Sequence, residues 1–209
     1  MKTATRRGAE SSVREKLLRV ARDLFTTRGY TATSVREIVE AAGVTKPALY
    51  YHFASKEGIY LAILDDLRSL FDTGIAEHGG KAGNVRCQIE EFILGLYDLF
   101  EQNRAAARFL NAAFWGPTQS APSFDFQALN ERFISFVALK VEEGISAGEI
   151  RGANTRDVSL TLLGALSSYV NLTLAHPRLS SGKTGLRRIL ALIFTGVAAH
   201  APTRRETAR

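Results

Sequence analysis

The sequence predicts an all-α protein of about nine helices, with a small N-terminal part and a larger C-terminal part. Apolar residues recur three or four positions apart along most of the chain, and no stretch alternates long enough to predict a sheet. Near the N-terminus, two short helical patterns flank a glycine and are followed by a long third pattern. With 209 residues, 45% of them hydrophobic, the chain can bury a substantial core.

The first helix is predicted to begin at Ser12, which can form a capping box with Glu15, and to end at Gly29. Its apolar positions fall on one continuous stripe that would brace the following helices: Val13, Leu17, Val20, Ala21, Leu24 and Phe25. Residues 1–10 lack such a stripe, so we expect a flexible arm there. This arm contains two adjacent arginines, Arg6 and Arg7.

Residues 34–56 predict two short helices joined by a tight turn. Ser34 and Glu37 have the spacing of a capping box at the start of the first helix. Gly43 can adopt the left-handed conformation that ends it. Thr45 occupies the capping position of the second helix. This order of helix, glycine turn and helix is the helix-turn-helix plan.

The second short helix has one anchored face and one free face. Leu49 and Phe53 lie four residues apart and are expected to hold the helix inward. The residues off that face are polar, aromatic or small: Lys46, Ala48, Tyr50, Tyr51 and His52. In a helix-turn-helix protein, the second helix enters the DNA major groove. The free face is therefore the predicted DNA-reading surface.

The string TSVREIVEAAGVTKPALYYHFASKEGIY closely resembles the DNA-binding segment of tetracycline-repressor-type (TetR family) transcriptional regulators. The specific positions are Gly43 with Val44, the run Leu49–Phe53, and Lys56 with Glu57. The resemblance is sharp over residues 11–60 and continues beyond them only as architecture. It implies a ligand-responsive regulator, with a repressor as the expectation, that binds a palindromic operator as a homodimer.

The resemblance also implies which residues contact DNA. Three residues are predicted to meet base edges: Lys46, Ala48 and Tyr50. Five side chains are predicted to hold phosphates: Arg36, Thr45, Tyr51, His52 and Lys56. Ser34 is predicted to offer a backbone amide to a phosphate at a helix N-terminus. Phosphate contacts would position the protein, and base contacts would specify the operator sequence.

The charge distribution agrees with a DNA-binding N-terminal part. The net charge is +6, and residues 1–60 hold 11 Lys/Arg against 6 Asp/Glu, whereas residues 61–209 hold 16 against 15. A basic excess on the helix-turn-helix is what phosphate binding requires, although a solvated basic surface has the same composition. The N-terminal arm could reach a minor groove or be a disordered tail.

After the helix-turn-helix, Ser55 is predicted to cap a long helix over residues 56–77, the candidate lever between two sites. Further helices are predicted at 85–102, 104–115, 124–147, 155–176 and 184–199. The expected organisation is an arm at 1–10, a helix-turn-helix domain at 11–56, a ligand-binding and dimerisation domain at 57–200, and a flexible tail at 201–209.

Ten of the 19 aromatic residues fall between positions 92 and 136, which favours an apolar ligand cavity over an ordinary core. The predicted lining residues are Phe71, Phe92, Leu96, Phe100, Phe109, Phe114, Trp115, Phe133 and Tyr169. Nearby polar candidates for orienting a ligand are Asp98, Arg108, Asn111 and Gln119. The expected effector is small and apolar or aromatic.

The last two long helices are predicted to form the dimer interface, because the final helix is apolar round most of its circumference and needs cover. The resemblance implies the same pairing. The predicted interface residues are Leu160, Gly164, Ser168, Leu186, Ile189, Leu190, Ile193 and Val197.

The remaining expectations concern compartment and alternatives. The single cysteine, Cys87, fits a reducing compartment and is expected to be buried, and the first 16 residues lack a secretory core. We therefore expect a cytoplasmic protein with no membrane partner, no metal, no cofactor and no enzymatic activity. Two rival interpretations are a helical lipid or small-molecule carrier with a basic membrane-facing N-terminus, and a hydrolase using Ser146 of the string Gly144–Gly148.

Overall fold

The computed structural model describes residues 2–78, 83–115, 121–150 and 154–196. Within them every long element is a helix and no strand occurs, so the predicted all-α fold is confirmed. The helices are α1 Lys2–Arg28, α2 Val35–Ala42, α3 Lys46–Phe53, α4 Lys56–His78, α5 Val85–Gln102, α6 Arg104–Trp115, α7 Phe126–Ser146, α8 Thr155–Ala175 and α9 Gly182–Thr195, with a 3-10 turn at Pro177–Leu179.

The start of α1 differs from the prediction. The helix begins at Lys2, ten residues before the predicted capping residue Ser12, so the predicted start of the first helix is wrong. The flexibility of residues 1–10 stays a prediction. The segment contains no proline and one glycine, Gly8, so nothing in it blocks a helix that grows backward from the packed turns of α1. The predicted tail at 201–209 lies outside the described residues.

Two hydrophobic cores hold the fold together. The N-terminal core is built by α1, α2, α3 and the first half of α4, with residues such as Leu17, Ile38, Leu49 and Ile59 at 0% exposure. The C-terminal core is built by the end of α4 with α5, α7, α8 and α9. The apolar stripes predicted from helical spacing therefore face inward, and they form two separate cores.

Two helices take part in both regions. The N-terminal half of α4 lies in the N-terminal core, whereas Phe71 near its C-terminal end belongs to the C-terminal core. α6 also enters the N-terminal core, through Ala106 and Phe109. The predicted lever, α4, is therefore joined by a second connecting helix that sequence periodicity did not single out.

Helix α8 is long and apolar enough to cross a bilayer by length and composition, with a mean hydropathy of 1.4 over its best window. Among the described residues it is the one helix that meets this test. It packs against α7, α9, α5 and α6. Packed helices of globular domains meet the same test, so it is weak evidence for a membrane span.

Cys87 corrects another expectation, because it is exposed instead of buried. Its apolar neighbours Val85 and Ile89 are buried, but they lie two residues away on either side. Residues two apart on a helix do not share a face. The flanking residues therefore did not predict the environment of Cys87.

Ser146 is the last residue of α7, in the string that matched a nucleophile elbow. The preceding residues are helical, and Gly144 packs closely on Ile150, whose side chain lies 2.8 Å from where a Cβ would stand. A nucleophile elbow needs a strand before the serine. The local fold does not provide that geometry.

Candidate DNA-binding surface and ligand cavity

Helix α2 begins with the predicted capping box. The Ser34 hydroxyl accepts a hydrogen bond from the Glu37 amide at 3.2 Å, and the Ser34 amide donates to Glu37 Oε2 at 2.8 Å. The hydrogen bonds from Ser34, followed by the charge of Arg28, lower the pKa of Glu37. Because the Ser34 amide is bound to Glu37, this geometry does not offer it to a phosphate. The next amides, of Val35 and Arg36, have no partner within the helix.

The turn between α2 and α3 is fixed by backbone geometry. Gly43 adopts φ 61° and ψ 41°, the left-handed conformation that glycine adopts at low cost. The amide of Val44 donates to the carbonyl of Val39 at 3.0 Å, which closes the end of α2. The chain therefore enters α3 in one defined direction.

Helix α3 is anchored as predicted. Leu49 is fully buried and Phe53 nearly so, which places the opposite side of this short helix in solvent. Tyr50 and Tyr51 are 50% and 74% exposed, and Lys46 is also exposed. Large exposed aromatic side chains beside a lysine form a surface suited to a groove of DNA.

The two remaining predicted residues of α3, Ala48 and His52, are half-buried at the margins of that surface. The His52 ring packs edge-on to Tyr51, with 5.0 Å between their centroids. This contact limits the rotamers of the exposed tyrosine. Ala48 offers only a methyl group, which can meet a thymine methyl but cannot donate a hydrogen bond.

Thr45 occupies the N-cap of α3 but makes no capping hydrogen bond with its side chain. The reason lies in the next residues. Pro47 has no amide hydrogen, and the amide of Ala48 donates to the carbonyl of Thr45 at 3.1 Å. Thr45 is exposed, and its hydroxyl has no hydrogen-bond partner among the described residues, so it is available to a phosphate.

Arg36 projects from α2 beside this surface. It is exposed, and its Nε donates to Glu40 at 2.6 Å. That hydrogen bond and the charge of Glu40 raise the pKa of Arg36. The guanidinium has further N–H groups in a planar fork, so the pair with Glu40 leaves donors for a phosphate.

Lys56 differs from its predicted role. Its Nζ donates to the carbonyls of Tyr30 and Thr33, both at 3.0 Å, and lies 4.1 Å from the centre of the Tyr30 ring. Burial lowers the pKa of this lysine. Since two of its three donors are used inside the protein, the geometry does not support a direct phosphate contact and assigns Lys56 to holding the turn before α2.

An N-terminal aromatic cluster surrounds that turn. Its members are Phe25, Tyr30, Tyr60 and Phe109, with neighbouring ring centroids between 5.0 and 5.6 Å apart. Burial raises the pKa of both tyrosines, so the cluster stays uncharged at neutral pH. Through Phe109 the cluster includes α6, which makes the base of the helix-turn-helix a shared core.

The junction from α3 to α4 is tightly built. Ala54 adopts φ 59°, a conformation that costs a non-glycine residue free energy, and the amide of Ser55 donates to the carbonyl of Phe53 at 2.6 Å. The predicted cap is confirmed, because the Ser55 hydroxyl accepts from the amide of Gly58 at 2.9 Å. A Cβ on Gly58 would clash with the Phe53 carbonyl oxygen. This close approach couples the direction of α3 to that of α4.

The C-terminal part contains a cavity of about 420 Å³ between α6, α7 and α8. Four of the predicted residues line it: Phe71, Phe100, Phe114 and Trp115. Trp115 is 69% exposed at the end of α6. The wall also includes Ala107, Leu110, Asn111, Phe126, Leu129, Asn130, Leu160, Leu163, Gly164, Leu166, Ser167, Ser168, Val170 and Asn171.

Five predicted lining residues lie outside the wall of this cavity. Phe92 and Phe133 are fully buried with ring centroids 5.7 Å apart, and Leu96 is fully buried in the same core. Phe109 belongs to the N-terminal aromatic cluster. Tyr169 donates to the carbonyl of Gly182 at 3.0 Å, which ties α8 to α9. An aromatic-rich stretch cannot indicate which rings fill a core and which border a void.

Of the polar candidates, Asn111 lines the cavity, and its side-chain amide donates to the Asn171 side chain at the cavity wall. Asp98 instead pairs with Lys183 at 2.5 Å, and Arg108 is exposed. Gln119 lies outside the described residues. Asn171 was missed because no local pattern distinguishes an asparagine at a cavity wall from one on the surface of α8.

The predicted dimer residues divide into three groups. Leu160, Gly164 and Ser168 lie on the cavity-facing side of α8. Leu186 and Leu190 are fully buried within the chain, so their assignment to a dimer interface is wrong. Ile189 and Ile193 are half-buried on α9, near the exposed Leu192, and Val197 lies outside the described residues. Helix α9 therefore turns its leucine face inward and leaves a narrower apolar edge outside.

Among the described residues, no group of three or more His, Cys, Asp and Glu side chains has the geometry of a metal site.

Comparisons with known proteins agree with the helix-turn-helix geometry. Residues 17–63 match the family described as bacterial regulatory proteins, tetR family. The HTH-type transcriptional activator FasR of Mycolicibacterium smegmatis is 32% identical over 97 residues, which are 46% of this chain and 44% of FasR. The HTH-type transcriptional repressor KstR2 of Rhodococcus jostii is 33% identical over 105 residues, covering 46% and 48%. The match thus spans about half the length of these curated relatives.

Solved structures extend the likeness to nearly the whole chain. The TetR family transcriptional regulator PfmR from Thermus thermophilus is 24% identical, with a TM-score of 0.73 over 89% of this chain and 97% of that one. FadR from Bacillus subtilis, solved in complex with stearoyl-CoA, is 18% identical, with a TM-score of 0.68 over 88% and 99%. At these identities the likeness shows the fold. Residues 17–63 therefore carry a helix-turn-helix segment of the tetR family, within a helical fold that the chain shares with solved TetR family regulators.

Proposed function

We propose that this protein is a transcriptional regulator, most simply a repressor, that binds a palindromic DNA operator as a homodimer and responds to a small apolar or aromatic effector. The observation that carries this proposal is the arrangement of α3. Leu49 and Phe53 hold it inward, while Lys46, Tyr50 and Tyr51 stand exposed on its free side. A capped α2 and a glycine turn fix that surface in one orientation.

The DNA contacts divide between two helices. Lys46 and Tyr50 are the proposed readers of base edges, with Ala48 against a thymine methyl. Tyr51, His52, Thr45 and Arg36 are the proposed phosphate contacts, joined by the free amides at the N-terminus of α2. Lys56 is given a positioning role in place of its predicted phosphate contact.

A dimer is proposed through the exposed edges of α8 and α9. Leu192 is 52% exposed on α9, and Ile189 and Ile193 are half-buried beside it. A second copy would cover this apolar edge. Two α3 helices related by a two-fold axis could then enter successive major grooves, about 34–36 Å apart.

The effector is proposed to act through α4 and α6, because these helices reach both regions. Phe71 of α4 and Phe114 of α6 line the cavity, while Tyr60 and Phe109 of the same helices pack together in the N-terminal aromatic cluster. A ligand that moves either helix would therefore shift the base of the helix-turn-helix. Such coupling is typically worth about 1–3 kcal/mol between the two sites.

The test is selection of bound sequences from a random DNA pool, using the full chain at two salt concentrations and without any effector. We expect a palindromic consensus whose binding weakens with salt. Salt-sensitive binding without a consensus, displaced by vesicles of anionic lipid, would contradict the proposal and support a membrane-facing carrier instead.

A further inference from the structure

The polar residues that line the cavity restrict the charge of the ligand that can bind there. Most of the wall is apolar, and the five polar lining residues are uncharged: Asn111, Asn130, Ser167, Ser168 and Asn171. No lysine, arginine, histidine, aspartate or glutamate occurs among the described residues that line it.

Nearby arginines do not supply the missing charge. Arg104 of α6 donates to Glu101 at 2.9 Å and to the carbonyl of Thr173 at 3.4 Å. Arg132 of α7 is paired with Asp72, and Arg108 of α6 is exposed to solvent. None of these three arginines lines the cavity. An ionised group that entered would lose its hydration without gaining a counter-charge, which is strongly unfavourable. The cavity therefore selects against carboxylates and phosphates.

The Asn111–Asn171 pair supplies a specific recognition element. The side-chain amides of α6 and α8 share one hydrogen bond at the cavity wall. Each carboxamide has an NH₂ group that donates and an oxygen that accepts. Whichever amide donates, the bond leaves one amide oxygen and one NH₂ group without a partner among the described residues. These two groups complement a ligand that carries a donor beside an acceptor.

The geometry points to an uncharged effector with an apolar body and one donor–acceptor group, such as a carboxamide or a lactam, held by the Asn111–Asn171 pair. This inference rests on the proposed function, since it names the class of effector for the same cavity. Its binding can nevertheless be measured on the protein alone, without DNA.

The chain contains a single tryptophan, Trp115, and this residue lines the cavity, so its fluorescence reports on the site. We would titrate the full chain at neutral pH with 1-adamantanecarboxamide and with 1-adamantanecarboxylate. The two probes have nearly the same shape and differ in charge, and neither absorbs where tryptophan is excited. We expect a blue shift of the emission and binding of the amide about tenfold or more tighter than binding of the carboxylate.

Variants test the role of the amide pair. Asn111→Ala and Asn171→Ala should each weaken binding of the amide, which reduces its preference over the carboxylate, and should leave the weak binding of the carboxylate unchanged. Gln127→Ala, at an exposed position of α7 outside the cavity lining, is the matched control and should retain the preference. Thermal unfolding of each variant checks that the fold is intact.

Three results would overturn the inference. The carboxylate could bind as tightly as the amide, which would mean that a positive charge reaches the site. Both alanine variants could retain the full preference, which would remove the recognition role of the pair. Neither adamantane probe could alter the emission, which would exclude this ligand class. In each of these three cases, a palindromic consensus from the separate DNA selection would still support the proposed function. Probe binding without such a consensus would support the ligand inference and contradict the proposed function.

Discussion

The N-terminal aromatic cluster and the cavity wall use the same kinds of side chain in opposite ways. In the cluster, neighbouring rings pack with centroids between 5.0 and 5.6 Å apart and fill the space between α1, α4 and α6. In the wall, five aromatic residues border about 420 Å³ of open space. The first arrangement holds the helix-turn-helix in place, and the second can take a ligand.

Helix α6 contributes one aromatic ring to the cluster and another to the cavity wall. Phe109 is 1% exposed in the cluster, whereas Phe114, five residues later, is 40% exposed at the cavity. Five residues advance a helix by about 500°, so the two rings point to different sides. The cavity and the aromatic cluster thus lie on different faces of one helix, and substitutions on the two faces should have different consequences.

The largest difference is expected between Phe109→Ala and Phe114→Ala. Removing the fully buried Phe109 ring should lower the free energy of unfolding by about 3–5 kcal/mol, because it empties a filled core. Removing the Phe114 ring should cost much less, because that ring is partly exposed already. Urea denaturation of both variants measures the difference. Equal losses would mean that the cavity wall and the cluster contribute alike to stability.

Lys46→Ala should weaken operator binding by about 1–3 kcal/mol, or roughly tenfold to more than a hundredfold, without changing thermal stability. The side chain is exposed and contributes to neither core. Arg68→Ala, which removes one positive charge from an exposed site on α4, is the control. If both variants bind the selected operator equally, the assignment of Lys46 to the reading surface fails.

Lys56→Ala should lower the free energy of unfolding by about 1–2 kcal/mol, since it removes two hydrogen bonds to carbonyls before α2. Lys183→Ala, which breaks a surface ion pair with Asp98, should cost less. Operator affinity is then measured over a range of salt. A slope reduced by about one unit in Lys56→Ala would restore the phosphate contact, whereas an unchanged slope agrees with the positioning role.

Ser34→Ala should have the smallest effect, about 1 kcal/mol at neutral pH, through loss of the N-cap of α2. The wild type should lose part of this advantage in acid. The pKa of Glu37 is lowered in the folded state, so its carboxylate stabilises the fold above the ordinary glutamate pKa. That contribution disappears as the pH falls through the lowered value. Thermal unfolding of the wild type and of Ser34→Ala, from neutral to acidic pH, measures the difference in stability between them. A difference that widens in acid would contradict the capping-box account.

Sequence patterns located the helix-turn-helix because its determinants are local. The capping box of Ser34 with Glu37, the left-handed Gly43 and the buried pair Leu49 and Phe53 each depend on residues within four positions. The internal contacts of Lys56 were not foreseen because its partners, the carbonyls of Tyr30 and Thr33, lie 26 and 23 residues away. Patterns within one or two helical turns cannot predict a contact between residues that far apart in the sequence.

The sequence by itself determined the helical elements, the caps of α2 and α4, the exposed face of α3 and the presence of an aromatic-rich C-terminal part. Only the tertiary structure decided that Phe92 and Phe133 fill a core, that Leu186 and Leu190 face inward, and that Asn111 meets Asn171 at the wall of a cavity. The physical reason is one of range. Helical periodicity and capping are set by backbone geometry within about one turn, whereas a void exists only where several helices fail to fill the space between them.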